Sequence, residues 1–101
     1  MPHQQVELRQ AGDYGVVGEL SFDTVMYVEK EGMAAIDEST SPILFDLSAV
    51  TKCSSASLAL LISWKRYAEN SGKSLQVVRV PESLAGQIKS ACLESVFPID
   101  A

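Results

Sequence analysis

The chain has 101 residues, of which 47% are hydrophobic, and a formal net charge of -5 at pH 7. A chain of this length buries one core, so we expect a single domain over residues 1–101. The acidic balance disfavours nucleic-acid binding, which needs clustered Lys and Arg to neutralise phosphates. The start, MPHQQVELRQ, lacks the apolar stretch of a secretory signal, and the longest apolar run, residues 58–62, is far shorter than the roughly 20 residues that cross a bilayer. We therefore expect a cytoplasmic protein that meets a membrane only through a partner.

The chain opens with a predicted β-hairpin. Val6 to Leu8 alternates apolar and charged side chains, and Tyr14 to Leu20 follows after the turn residues Gly12 and Asp13. So short a connection favours antiparallel pairing, because parallel strands need a much longer crossover.

A helix is predicted next, with Ser21 and Asp23 as candidate N-caps. Gly32 interrupts it at a cost of about 1 kcal/mol relative to Ala. The apolar residues that recur near the helical period and should face a core are Val25, Val28, Met33 and Ile36.

The rest of the chain alternates strand and helix. After a loop at residues 39–42, Ile43 to Leu47 has the nearly continuous apolar character of a central strand. A helix follows from Ser54 and Ser55 to about Asn70, then a strand over residues 75–80 and a last helix that starts near residue 81 and ends before residue 98. The predicted fold is α/β, a mixed sheet of about four strands packed by about three helices.

The helix after Val50 carries the most informative surface. A wheel at 100° per residue predicts one core stripe, made of Leu60, Leu61, Trp64, Tyr67 and Ala68. The opposite side collects Ser55, Leu58, Ile62, Lys65, Arg66 and Glu69. An apolar ridge of Leu58 and Ile62 rimmed by charges is typical of a partner-binding patch, and it also makes weak self-association plausible when no partner is present. The alternative is an ordinary amphipathic helix with loose edges.

Ser54 and Ser55 stand at the predicted start of this helix, where a hydroxyl can cap a free backbone N–H. A helix N-terminus also favours negative charge, so a phosphate on Ser55 would be stabilised there while adding about two negative charges to the patch.

The sequence contains few candidate residues for catalysis or for binding a metal or cofactor. His3 is the only histidine and has no Cys or His partner at ligand spacing, and no His is available near Ser55 as a general base. Asp37 and Asp46 are expected as turn or capping groups. Cys53 and Cys92 are expected as packed thiols. We therefore predict a binding protein that needs no metal or cofactor.

Residues 43–61, ILFDLSAVTKCSSASLALL, closely resemble the central strand, loop and helix start of STAS domains. The recognisable elements are FDLSAV and SLALL, joined by GEL at residues 18–20 and by the tail VPESLAGQIKSACLESVFP. The resemblance covers nearly the whole chain and is greatest for the small STAS subunit of Mla-type phospholipid ABC transporters. It implies a STAS fold and a non-catalytic subunit.

The same resemblance implies a site. In many STAS domains an Asp precedes a phosphoacceptor Ser or Thr; here Ser55 falls on the acceptor position, and Ser54 replaces the Asp. The transporter subgroup implies that the helix docks on a cytoplasmic ATPase subunit of a complex that maintains outer-membrane lipid asymmetry. The partner-binding residues are then Ser54, Ser55, Leu58, Ile62, Lys65 and Arg66. The alternative is an anti-sigma factor antagonist regulated by phosphorylation at Ser55.

Overall fold

A computed structural model describes residues 5–40 and 42–97 of the chain. Its elements, in chain order, are β1 (Val6–Gln10), β2 (Asp13–Leu20), α1 (Val25–Glu38), β3 (Ile43–Cys53), α2 (Ala56–Asn70), β4 (Leu75–Val78) and α3 (Glu82–Ser90). Four strands and three helices in this order confirm the predicted α/β class. His3 and the chain from residue 98 onward lie outside the described residues.

The strands form one mixed sheet in the order β1-β2-β3-β4. β1 pairs antiparallel with β2, as the short turn predicts, whereas β2 and β3, and β3 and β4, pair in parallel. Two successive right-handed crossovers that move in one direction across a sheet place their helices on the same face. The helices accordingly contact one another, α1 with α2 and α2 with α3, and the domain has two layers.

The core lies between the sheet and the helix layer. Alternate strand residues such as Val16, Phe45 and Leu75 point into it and are at most 1% exposed. From α2 come Leu60, Leu61, Trp64 and Ala68, each at most 1% exposed. The wheel prediction is therefore confirmed for these four residues, while Tyr67 is half-buried and donates its hydroxyl to Asp37.

Gly32 allows α1 to approach α2 closely. A Cβ at this position would lie 2.2 Å from the Trp64 ring, and the Trp64 indole donates to the Glu29 carbonyl at 3.1 Å. The Trp64 ring also meets Phe45 edge-on, with centroids 5.0 Å apart. The helix-weakening glycine is thus explained by the large ring that packs against it.

Several boundaries and side-chain positions differ from prediction. Thr24 stands at the N-cap of α1 in place of Ser21 or Asp23, and its hydroxyl donates to the Glu19 carbonyl instead of capping the helix. β4 ends at Val78 because Arg79 takes a φ of +53°, which extended backbone does not allow. Cys92 is exposed just after α3, so only the half-buried Cys53 fits the expectation of a packed thiol.

The other face of the sheet carries a line of ionic contacts. Asp46 of β3 is 5% exposed at its side chain and accepts from Arg9 and Arg79, both at 2.9 Å, and from the Ser48 backbone N–H at 2.8 Å. Gly15 of β2 lies between Glu7 and Asp46 in the register, and Arg9 crosses over it. The expectation that Asp46 is a turn or capping group is wrong in part. Asp46 does accept from a nearby backbone N–H, that of Ser48, but it lies inside a strand and connects the two edges of the sheet through Arg9 and Arg79.

Candidate partner-binding surface

The start of α2 is fixed at the end of the sheet where β2 and β3 both stop. Leu20 is the register partner of Cys53, and its carbonyl accepts from the Ser54 backbone N–H at 2.9 Å and from the Ser57 hydroxyl at 3.0 Å. The Gln87 side chain of α3 donates to the Ser54 carbonyl at 3.2 Å. Three elements therefore hold this helix terminus. The sequence patterns did not single out Ser57 and Gln87, because their partners are distant in the chain.

Ser54 and Ser55 differ in what they do. The Ser54 hydroxyl accepts from the Ala56 backbone N–H at 3.2 Å, so it contributes the local cap that the sequence predicts for one of the two serines. Ser55 is exposed and makes no side-chain cap hydrogen bond. Ser55 therefore stands exposed at the positive end of the α2 dipole, a position that favours an added negative group.

Leu58 and Ile62 are less exposed than the wheel predicts. Both are half-buried and pack against the core. The predicted exposure of Leu58 and Ile62 on α2 is therefore too high, because neighbouring elements cover part of both side chains. The part that remains accessible is a partial apolar strip.

Lys65 and Arg66, predicted in one patch, lie on different flanks of α2. The Lys65 ammonium donates to the Leu75 carbonyl at 2.8 Å, so it is held against β4. Arg66 is exposed and lines a groove on the side of α1. Of the two cations, Arg66 is the one whose charge is available to a partner.

A shallow groove of about 340 Å³ runs between α1 and α2. It is lined by Met33, Ala59, Ile62, Ser63, Arg66, Tyr67 and Asn70. The Ser63 hydroxyl is held by the Glu29 carboxylate at 2.7 Å, and the hydrogen bond to Asp37 raises the pKa of Tyr67. The groove is a mainly apolar surface with fixed polar edges, suited to contact with another protein.

The sequence patterns missed a group of strongly exposed apolar residues. Phe22, Met26 and Tyr27, at the start of α1, are 69%, 68% and 55% exposed. In the sequence, Met26 and Tyr27 are two apolar residues at outward positions of a helix. Apolar residues at such positions are common on protein surfaces, so they do not by themselves indicate a binding site.

The surface has the features of a binding site. Over residues 5–40 and 42–97, no three His, Cys, Asp or Glu side chains are grouped so that they could hold a metal ion. No helix in this part of the chain has both the length and the apolar character needed to cross a bilayer. What the geometry offers is an exposed hydroxyl at a helix start beside a half-apolar face.

The two-layer fold, the mixed sheet order and the serine at the start of α2 define a STAS-type domain. The family model described as "Mlab, STAS domain" matches residues 5–96, and the chain belongs to this family. No curated protein matches the chain significantly.

Solved structures give the same fold. A chain of the Acinetobacter MlaFEDB complex in its ATP-bound Vtrans2 conformation is 25% identical, with a TM-score of 0.81 over 94% of this chain and 98% of that one. An anti-sigma factor antagonist from Mycobacterium paratuberculosis is also 25% identical, with a TM-score of 0.75 over 93% and 80%. The phosphorylated Bacillus cell fate determinant SpoIIAA, 14% identical, has a TM-score of 0.69 over 96% and 90% and is similar in fold.

Proposed function

We propose that this protein is a non-catalytic subunit of a phospholipid-transporting ABC complex of the Mla type, and that it binds and regulates or stabilises the ATPase. The observation that carries the proposal is the match to a chain of the MlaFEDB complex, which spans 98% of that chain at a TM-score of 0.81. The anti-sigma factor antagonist of equal identity is matched over a smaller share of its length. The protein then lies in the cytoplasm, attached to the inner membrane through its partner, and serves outer-membrane lipid asymmetry.

The binding surface in this proposal is the start and outer side of α2. Ser54 holds the helix terminus, exposed Ser55 marks the end of the surface, and Leu58 and Ile62 supply half-buried apolar contacts. Arg66 supplies the charge at the rim. Lys65 acts indirectly, because it fixes α2 against β4.

The half-burial of Leu58 decides how the proposal is tested. A charge placed at Leu58 would disturb the core as well as an interface, so loss of binding there would not separate the two causes. Ser55→Glu is a cleaner change, because the side chain is exposed and a carboxylate at a helix N-terminus does not weaken the helix. Ser83→Glu is the matched control, since Ser83 is also exposed and lies near the start of a helix, α3, as Ser55 lies at the N-cap of α2.

The measurement is the affinity of the purified chain for its cognate ABC ATPase. We expect Ser55→Glu to weaken binding at least about tenfold, because it places a charge at the end of the contact beside the apolar residues, and Ser83→Glu to bind as the wild type does. A wild-type chain that does not bind the ATPase, or Ser55→Glu binding with unchanged affinity, would contradict the proposal.

A second candidate, an anti-sigma factor antagonist, is favoured by the exposed Ser55 hydroxyl and by the match to the mycobacterial antagonist. In that case a cognate kinase phosphorylates Ser55, and the added charge releases the bound regulator. Mass spectrometry after incubation with the kinase and ATP tests it. One phosphate on the wild type and none on Ser55→Ala would support this function, and an unmodified wild-type chain would remove it.

A further inference from the structure

Three large apolar side chains are exposed in or just before the first turn of α1, and we call this group the ridge: Phe22 in the preceding loop, and Met26 and Tyr27 in the helix. They are 69%, 68% and 55% exposed. A single exposed apolar residue is ordinary, but three large ones within six positions present roughly 400 Å² of mostly apolar surface, the size of the functional patches found on monomers. The exposure of this apolar surface to water is unfavourable in free energy, and binding to a partner would remove that penalty.

The ridge is not needed to hold its own loop. The Thr24 hydroxyl donates to the Glu19 carbonyl at 2.7 Å and accepts from the Ser21 backbone N–H at 3.0 Å. The Thr24 and Val25 backbone N–H groups both donate to the Ser21 carbonyl. Because these polar bonds define the turn, the three exposed side chains are free for another role, and changing them should leave the fold intact.

The ridge continues the surface already described on α2. Met26 lies two helical turns before Met33, on the same side of α1, and Met33 lines the groove with Ala59 and Ile62. The Glu29 to Ser63 contact aligns the two helices side by side. The loop that carries Phe22 follows Leu20, whose carbonyl holds the start of α2. Met26, the groove and Ser55 therefore lie on one face of the helix layer. Tyr27 lies farther from α2, on the flank of α1 from which Glu31 reaches β1.

We propose that the ridge is the second half of the ATPase-docking surface, seated in an apolar depression of that subunit. This inference rests on the function proposed above. The area supports it: a stable interface takes about 800 Å² from each partner, and the ridge would supply about half of that, which the half-buried strip of α2 alone does not.

Two other occupants fit less well. Two ridges meeting in a symmetric dimer would bury only about 800 Å² in total, below the roughly 1,200 Å² of stable complexes. An anionic lipid surface would repel a chain with a net charge of -5. A different protein can bury a large enough area and need not carry the negative charge of a lipid surface.

The test compares the full-length double variant Phe22→Ser/Met26→Ser with Leu8→Ser. Leu8 is the matched control because it is 63% exposed but lies on edge strand β1, away from α2. Affinity for the purified ATPase is measured, with circular dichroism and thermal unfolding as fold controls. We expect the double variant to fold normally and to bind at least about tenfold more weakly, and Leu8→Ser to bind as the wild type does.

The outcomes separate the ridge from the proposed function. Unchanged affinity of the double variant, while Ser55→Glu binds weakly, overturns the ridge alone. A wild type that binds no ATPase overturns both proposals. Dimerisation of the wild type and its co-sedimentation with phosphatidylglycerol vesicles are measured as well. If the double variant loses either property while its affinity for the ATPase is unchanged, the ridge binds a second copy or a lipid surface, and the inference is overturned.

Discussion

At the scale of single residues, Asp46 shows where sequence reasoning stops. Its type and its place in an apolar run are visible in the sequence, but its partners are 37 and 33 residues away. Only the sheet order and register bring Arg9 and Arg79 to it. Burial raises the pKa of Asp46, but the hydrogen bonds from Ser48 and Arg9 and the positive charge of Arg79 outweigh it and hold the pKa at about 2.

This pKa predicts a pH-dependent contribution to stability. Because the pKa in the folded state lies below the usual value of 3.8, ionised Asp46 stabilises the fold above about pH 4, and the contribution is lost as the pH falls toward 2. Asp46→Asn should therefore lower the free energy of unfolding by about 2 kcal/mol at pH 7, and the difference from wild type should narrow between about pH 4 and pH 2. Urea unfolding at a series of pH values measures it.

Asp13→Asn is the control, since Asp13 also accepts from Arg9 but is more exposed than Asp46. Its effect should be small at every pH, because solvent already screens the pair. An Asp46→Asn difference that stays constant down to about pH 2 would contradict the assignment of the pKa.

At the scale of elements, the periodic patterns predicted all seven elements and their order. The packing between the elements was harder to predict, because a helical wheel describes one helix without its neighbours. It identified the buried stripe of α2, but not how closely α1, β4 and α3 pack beside this helix, so Leu58 and Ile62 appeared more exposed than they are. Gly32 could be recognised only as a cost to α1, since its benefit depends on Trp64.

The two helical glycines should respond in opposite ways to the same substitution. Gly32→Ala places a methyl group against the Trp64 ring, so it should destabilise the protein by about 1–3 kcal/mol despite the better helix propensity of Ala. Gly86→Ala in α3 meets no atom within 4 Å and should stabilise by about 0.5–1 kcal/mol. Thermal unfolding of both variants checks this, and a stabilised Gly32→Ala would show that the helices can separate without cost.

At the scale of the whole molecule, the two sides of the sheet have different chemistry. One is covered by helices and carries the half-apolar face that begins at Ser55. The other is crossed by an ionic line of two cations and two carboxylates, Arg9, Asp13, Asp46 and Arg79, whose charges are matched. The class of protein could be predicted from the FDLSAV and SLALL segments, but the exposed side chains at the start of α1 could not, because they depend on what the loops leave uncovered.

This difference predicts where substitutions affect binding. Arg66→Glu, on the helix side, should weaken the affinity for the ATPase at least about tenfold and make it more sensitive to salt. Glu7→Lys, an equally drastic charge reversal at an exposed position on the other side, should leave the affinity within about twofold. Titration at two salt concentrations measures both, and equal losses from the two variants would mean that the partner covers the sheet as well.

The line of matched charges on the bare side of the sheet also limits what the domain can build. An assembly extends through a subunit only when that subunit offers a second surface whose burial releases free energy, and a line of charges that already pair with one another gains little from a new neighbour. With its apolar contacts gathered on the helix side, we expect the domain to bind through that side alone, and so to end a larger complex instead of joining two other subunits.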